Sequence, residues 1–321
     1  MKKTLTKVIP ILLPLALGVF LVYYAFSKFT EEQIEEMIVH FKRANYSYIV
    51  IASIFSIISL WARAYRWKYA LNYMGYASST LTNFMAINIG YLMNLTVPRS
   101  GEISRALVLQ KYQQIPFDKS FGSIVSERVV DLICLLLCVV TALILQYDLL
   151  KGFLLNYVPV NQLLGLGLLA FGGFVLVVLA FMYVTWKPIL FVKRKLKGLV
   201  EGVNSIFKMP QKIEFLCYTC VIWLGYIATF YFGTLALQET SILSFPMLMS
   251  AFVAGSFAVS FTNGGFGAFP LILTEILVLY HISSVAGTAF GWILWTTQTA
   301  IVVALGALSF LFLPLYYTRK K

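Results

Sequence analysis

Charged side chains are scarce in this sequence: Asp, Glu, Lys and Arg make up 12% of 321 residues, and Asp and Glu number 13. There are two His and four Cys. Groups so few and so scattered form no metal-ligand cluster and no nucleophile–base constellation. No Gly-Lys-Ser/Thr motif occurs, which argues against a P-loop and direct ATP hydrolysis. Strictly alternating segments are missing too, which argues against a barrel. No basic patch interleaves with stacking aromatics, so the net charge of +12 is no nucleic-acid signature. Lys2, Lys3 and Lys7 precede an apolar run over 8–26 that lacks a small-residue cleavage site, so the run reads as a retained helix. Cys134, Cys138, Cys217 and Cys220 fall inside predicted spans. The Cys217-x-x-Cys220 spacing lacks His or Cys partners and reads as packing, as do the lone His40 and His281. No cofactor, metal or nucleic acid is expected.

What the sequence has in abundance is oil. Hydrophobic residues make up 60%, the mean hydropathy is +0.83, and apolar runs of about 18 or more residues recur. In lipid such runs must satisfy their own backbone, which predicts an all-α integral membrane protein. Spans are predicted over 8–26, from 46 into an aromatic-basic border at 61–68, and over 128–146, 163–186, 213–237 and 285–313. In that border Trp and Tyr anchor at the interface while Arg63, Arg66 and Lys68 snorkel. The stretch 28–45, with Glu31, Glu32, Glu35 and Glu36 against Ile34, Met37, Ile38 and Phe41, predicts an acidic amphipathic helix on a surface. Two apolar runs are interrupted before they can span, one at 98–101 and one at 262–267.

These elements repeat. Those ending near 26, 70, 97 and 147 have counterparts ending near 186, 237, 261 and 313. With each broken pair entering and leaving on one side, each half crosses three times, so the halves must be inverted. The expected organisation is a first inverted repeat over 1–147, a linker over 148–162 and a second repeat over 163–321, with six spans and two re-entrant pairs. Gly/Pro-interrupted segments at matching places in two halves point to a midplane transport site. With both termini cytoplasmic, the inner segments carry 19 Lys and Arg against 4 outside, including a strongly basic connector at 187–212. That bias orients the protein in an inner membrane.

Against so much oil, the stretch 94–131 concentrates Arg99, Glu102, Arg105, Glu127, Arg128 and Asp131. Each charge in a spanning segment costs roughly 3 kcal/mol on insertion scales and is a functional-site hypothesis by default. Glu102 and Arg105 share a helix face, and Arg99 sits where that helix begins. One carboxylate between two guanidiniums leaves a surplus positive charge, and free amides at Ser100 and Gly101 add to it, which suits a phosphate. The plainer alternative is a cytoplasmic loop whose charges meet water and headgroups. Arg128 lies three before Asp131 and one after Glu127, so an ion pair within the helix with a carboxylate to spare is expected, cross-linked to Arg99 or Arg105. Asn263, Gly264, Gly265 and Gly267 form an uncharged turn through which backbone can approach a ligand closely, or else a tight turn between packed helices.

Pro98-Arg99-Ser100-Gly101-Glu102 with Arg105, followed by Ser126-Glu127-Arg128 with Asp131, resembles the transmembrane region of lysylphosphatidylglycerol synthases, a wide family of flippase-like membrane proteins. Asn263-Gly264-Gly265-Phe266-Gly267 resembles that family's second signature, a Pro-Gly-Gly-x-Gly turn, with Asn263 in place of proline. Ala268, Phe269 and Pro270 stand where an Arg-Glu pair often follows, and Glu275 lies farther on. The resemblance covers essentially the whole chain. The sequence ends at Lys321, so the resemblance implies the lipid-translocating half without an aminoacyl-transferase domain.

The expected function is therefore to bind a phosphate-bearing lipid, anionic or isoprenoid, and translocate it between leaflets, without enzymatic chemistry. Arg99 and Arg105 would hold the phosphate. Glu102, Glu127, Arg128 and Asp131 would position them, and Gly101, Asn263, Gly264, Gly265 and Gly267 would shape the walls. Two alternatives stay open: a non-transporting partner of a cytoplasmic lipid- or glycan-modifying enzyme, and a membrane-embedded enzyme acting on a lipid-linked substrate. A homo-oligomer is also left open.

Overall fold

The computed structural model describes residues 16–97, 99–147 and 208–318, and these are helical throughout apart from short connections. The expected span over 163–186 and most of the basic connector lie outside the described residues. The first expected span is described over Ala16–Phe26 (α1). An amphipathic helix follows, Glu31–Arg43 (α2). Its start is specified locally: Thr30 Oγ1 accepts from Gln33 N while Gln33 Oε1 accepts from Thr30 N. Glu31 and Glu32 in the first turn and Lys42 and Arg43 in the last complement the helix dipole. Met37 buries its side chain among residues of the last helix and its neighbours.

Four helices among the described residues are long and apolar enough to cross a membrane: Tyr46–Tyr73 (α3), Phe117–Leu145 (α6), Lys212–Thr234 (α7) and Ser284–Thr318 (α11). α3 runs straight through the expected border at 61–68, and α6 joins two expected pieces into one helix. Leu132, Leu136, Leu137, Val140 and Ile144 of α6 are exposed, as are Leu308, Leu311, Phe312 and Leu315 of α11. Apolar side chains on the outside are what a hydrocarbon solvent calls for. The protein is a multi-pass membrane protein.

Between the long helices lie two hairpins. The first joins Thr80–Thr96 (α4) to Gly101–Gln113 (α5). After a short helix at Gln238–Ser241 (α8), the second joins Phe245–Phe261 (α9) to Ala268–Leu279 (α10). The longest of these arms has 17 residues. At 1.5 Å per residue that is about 25 Å, short of the roughly 30 Å hydrocarbon core. The first hairpin closes tightly: Asn94 Oδ1 accepts from Gly101 N at 2.7 Å. A Cβ on Gly101 would run into the Gly90 carbonyl and the Asn94 side chain. The second turns through Gly264, Gly265 and Gly267, whose φ angles are 65°, 78° and 70°. There a side chain would be strained.

Packing places α3 against α7, α4 against α11, α9 against α6, and each hairpin's second arm against the long helix that follows it. One apolar core gathers α2, α9, α10 and the start of α11. A second gathers the later part of α3, α4, α5 and the early part of α6 around Trp67, Leu109, Ile124 and Phe215. The buried charged residues Arg63, Arg66, Arg105, Glu127 and Asp131 lie on the helices that form this second core.

Candidate functional site

α3 carries Ser56, Ser59, Arg63 and Arg66 at helical spacing, so they share one face, and all four are buried. This corrects the reading of 61–68 as an interfacial border. Arg63, Arg66 and Trp67 are 2%, 0% and 0% exposed and point into the bundle, while Trp61 stays outside. α5 brings Glu102 and Arg105, and α6 brings Glu127, Arg128 and Asp131, so three helices meet through their charges.

Arg66 Nη1 donates to Asp131 Oδ1 at 2.8 Å and to Thr219 Oγ1 of α7 at 3.3 Å. Arg63 Nη2 donates to the Tyr226 hydroxyl at 3.0 Å and lies 3.0 Å from Asp131 Oδ2. Arg105 Nη2 donates to Glu127 Oε2 at 3.0 Å, and Arg66 Nε lies 3.8 Å from Glu127 Oε1. At the rim, Arg128 Nη2 donates to Glu102 Oε1 at 2.9 Å, both side chains being half-buried. Two aromatic rings back the guanidiniums. Arg105 stacks over Trp67 at 4.1 Å, with the indole N–H donating to Ser123 Oγ at 2.8 Å, and Arg66 lies 5.5 Å from the Phe215 ring.

Most of the expected residues come together, but with different partners. The Arg128–Asp131 pair expected within one helix is loose, at 4.0 Å. Arg128 turns to Glu102 instead, because α3 already supplies Arg63 and Arg66 to Asp131. The expected cross-link to α5 forms through Arg105. Arg99 stands apart: it is exposed, has φ 61°, and makes no hydrogen bond or ion pair among the described residues. Gly101 sits in the α4–α5 contact. The glycine turn meets the first hairpin rather than the charges, for Asn263 Nδ2 donates to Leu95 O at 3.1 Å. Trp295 Nε1 donates to Gly264 O at 2.9 Å, and Gly267 lies against the Gly18 carbonyl. Arg63, Arg66, Thr219 and Tyr226 were not expected in a site. The polar positions 56, 59, 63 and 66 in one apolar helix are the signal that reveals the first two.

Four guanidiniums face three carboxylates here, and Arg63, Arg66 and Arg105 keep donors to spare. Nε and Nη1 of Arg63, Nε and Nη2 of Arg66 and Nε of Arg105 are buried and have no hydrogen-bond partner among the described residues. Burying a donor unpaired costs about 1–3 kcal/mol, more when it is charged. A cavity of about 120 Å³ abuts the cluster, with Ser123, Ser126 and Glu127 in its wall. No arginine lines that cavity; the arrangement is a buried ion-pair cluster whose spare guanidinium donors suit an anion chemically.

Comparison with known proteins bears on the whole chain. The family described as "Lysylphosphatidylglycerol synthase TM region" matches residues 11–315. Among curated proteins, the chain is 30% identical over 112 residues to the "UPF0104 membrane protein MJ1595" of Methanocaldococcus jannaschii. That match covers 34% of this chain and 33% of the relative, so it spans about a third of the relative's length. No solved structure matches.

Proposed function

The chain belongs to the lysylphosphatidylglycerol synthase TM-region family, and on that premise we propose that it binds a phosphate-bearing lipid and carries it between the leaflets of an inner membrane. The observation that carries this reading is the set of buried, unpartnered guanidinium donors on Arg63, Arg66 and Arg105. In this reading those three arginines hold the headgroup phosphate, and Glu102, Glu127, Arg128 and Asp131 hold the arginines. Arg99, exposed at the first hairpin, meets the lipid before it enters. Gly101 lets the first hairpin close, and Asn263, Gly264, Gly265 and Gly267 set the second hairpin against it.

The two halves act as inverted repeats, with residues 1–147 and 163–321 contributing one hairpin each. Both termini lie in the cytoplasm, an orientation supported by the excess of Lys and Arg in alternate loops. Arg63, Arg66 and Arg128 contribute to that excess and are drawn into the cluster, but the bias survives without them. The protein moves the lipid without altering it, and the family's description as a transmembrane region supports that role.

The test is lipid translocation in proteoliposomes with headgroup-labelled anionic and zwitterionic lipids. Arg63→Gln is the informative variant, since Arg66 still pairs with Asp131, and thermal unfolding in detergent checks that it stays folded. Movement by the wild type that Arg63→Gln abolishes supports the site. If the wild type moves no phosphate-bearing lipid beyond protein-free vesicles, with or without a proton gradient, the proposal fails.

A further inference from the structure

We propose that the protein carries a second binding site, a pocket between the end of α1, α10 and the start of α11 that takes a compact zwitterionic group. Its walls come from α1, α2, α10 and α11, whereas the arginine cluster belongs to α3, α5 and α6. The proposal therefore does not depend on what that cluster binds. A cavity of about 110 Å³ opens here, with Lys28, Gln33, Thr274, Glu275 and Thr288 in its wall. Glu275 is the single charged residue in 245–279, the second hairpin. A charge in so apolar an element marks a functional site by default. Lys28 faces it from the connection between α1 and α2, with Nζ 3.9 Å from Glu275 Oε1. The same ammonium lies 4.4 Å from the centroid of the Tyr24 ring.

Two features select a zwitterion. At 3.9 Å the Lys28–Glu275 pair is about 1 Å too long for a charge-assisted hydrogen bond, so both groups keep their bonding capacity. The side chains are 49% and 64% exposed, which lets them part to admit a guest. A lone anion would meet Lys28 but lie beside the Glu275 carboxylate, and a lone cation the reverse. A group carrying both charges close together satisfies both. The second feature is the floor, where Thr274 and Thr288 are buried with their hydroxyls 2.9 Å apart. Thr274 Oγ1 donates to Pro270 O at 2.8 Å, so Thr288 donates the bond between the two hydroxyls. Both hydroxyl protons are then committed, and the oxygens have only acceptor capacity left. Gln33 is the converse: its Oε1 accepts from Thr30 N, which leaves its NH2 group to donate. Acceptors thus gather on α10 and α11 and donors on the α1–α2 side, matching the two ends of a zwitterion.

Such a group occurs in free small molecules and in zwitterionic lipid headgroups, and one experiment separates them. Purified full chain in detergent is titrated with glycerophosphoethanolamine and β-alanine, with ethanolamine and acetate as single-charge controls, and binding is read as a rise in thermal unfolding temperature. The lipid arm repeats this with phosphatidylethanolamine against phosphatidylglycerol in mixed micelles. Dissociation constants on the order of 1 mM are expected for the free zwitterions, because the charges are half exposed. Each control should bind about tenfold more weakly. Lys28→Gln and Glu275→Gln should each lower zwitterion binding about tenfold, the first now favouring ethanolamine and the second acetate. Thr288→Val leaves both charges in place and should weaken binding as well. A plain ion pair would lower the starting stability of the variants without altering any ligand preference. A rise with glycerophosphoethanolamine assigns the site to a soluble zwitterion. A rise with phosphatidylethanolamine alone, lost in both charge variants, assigns it to a lipid headgroup. Wild type that binds no zwitterion in either form, controls that bind as tightly, or charge variants that keep the wild-type preference overturn the proposal. None of those results touches translocation at the arginine cluster, which the Arg63→Gln comparison tests separately.

Discussion

Arg105 and Glu127 meet across the α5–α6 interface with Nη2 and Oε2 3.0 Å apart, their side chains 4% and 1% exposed. Neither has water to fall back on. The pair's worth therefore lies less in its attraction than in what its loss leaves behind. Arg105→Ala strands a buried carboxylate with Arg66 at 3.8 Å as its nearest remaining cation. Thermal unfolding in detergent should register a loss of about 3 kcal/mol. The double variant Arg105→Gln/Glu127→Gln should lose less than the sum of its singles, and strictly additive losses would contradict the pairing.

The indole of Trp67 has two partners, the Arg105 guanidinium over its face and Ser123 at its N–H. Trp67→Phe keeps a ring but loses the hydrogen bond, and a cost of about 1–2 kcal/mol is expected. Ser123→Ala also removes the donation from Ser123 Oγ to Ser120 O, and should cost less in the Trp67→Phe background than in the wild type. Equal losses in the two backgrounds would show that the two residues act separately.

Helix spacing in the first hairpin rests on Gly101, where a Cβ would meet the Gly90 carbonyl and Asn94. Gly101→Ala should destabilise by roughly 1–3 kcal/mol through overpacking. Gly122 of α6 has open space where a Cβ would go. Gly122→Ala should therefore stabilise slightly, by about 0.5–1 kcal/mol from helix propensity. Equal effects at the two positions, read by thermal unfolding, would argue against the close α4–α5 contact.

Arg99 holds φ at 61° with an exposed side chain that has no partner among the described residues. Arg99→Gly should relieve roughly 1 kcal/mol of backbone strain. If Arg99 meets lipid headgroups as proposed, the same change slows translocation although the protein is more stable. Unchanged transport with raised stability would remove Arg99 from the path.

The long helices and both hairpins were legible because a chain this apolar declares its interruptions. A Pro-Arg-Ser-Gly or a glycine cluster inside an oily run breaks the helix and turns the chain there. Glu102, Arg105, Glu127, Arg128 and Asp131 were legible for a related reason, charge being costly where they sit. Arg63 and Arg66 were not. Trp61, Tyr65, Trp67 and Lys68 surround them with the composition of a membrane border, and composition cannot tell a side chain that snorkels out from one that turns in. Their helical register with Ser56 and Ser59 carries that information. Partner choice was equally hidden, since spacing along α6 favours Arg128 with Asp131, whereas arginines on α3 claim Asp131 first and leave Arg128 to Glu102.

Among the described residues the two hairpin tips share one hydrogen bond between neutral groups, from Asn263 Nδ2 to the Leu95 carbonyl, with the Leu95 side chain near Gly264. Such a bond contributes about 1 kcal/mol. Parting α5 from α6 would instead expose or strand buried charges, at several times that cost. The chain thus has a weak seam and a strong one. α3, α5 and α6 should travel as one block while the tips part and rejoin, and a cysteine pair placed at Leu95 and Asn263 should lock the protein when oxidised. A protein that still worked with that bridge closed would have to open somewhere costlier. If the protein carries lipid as proposed, this weak seam between the hairpin tips is where its passage opens.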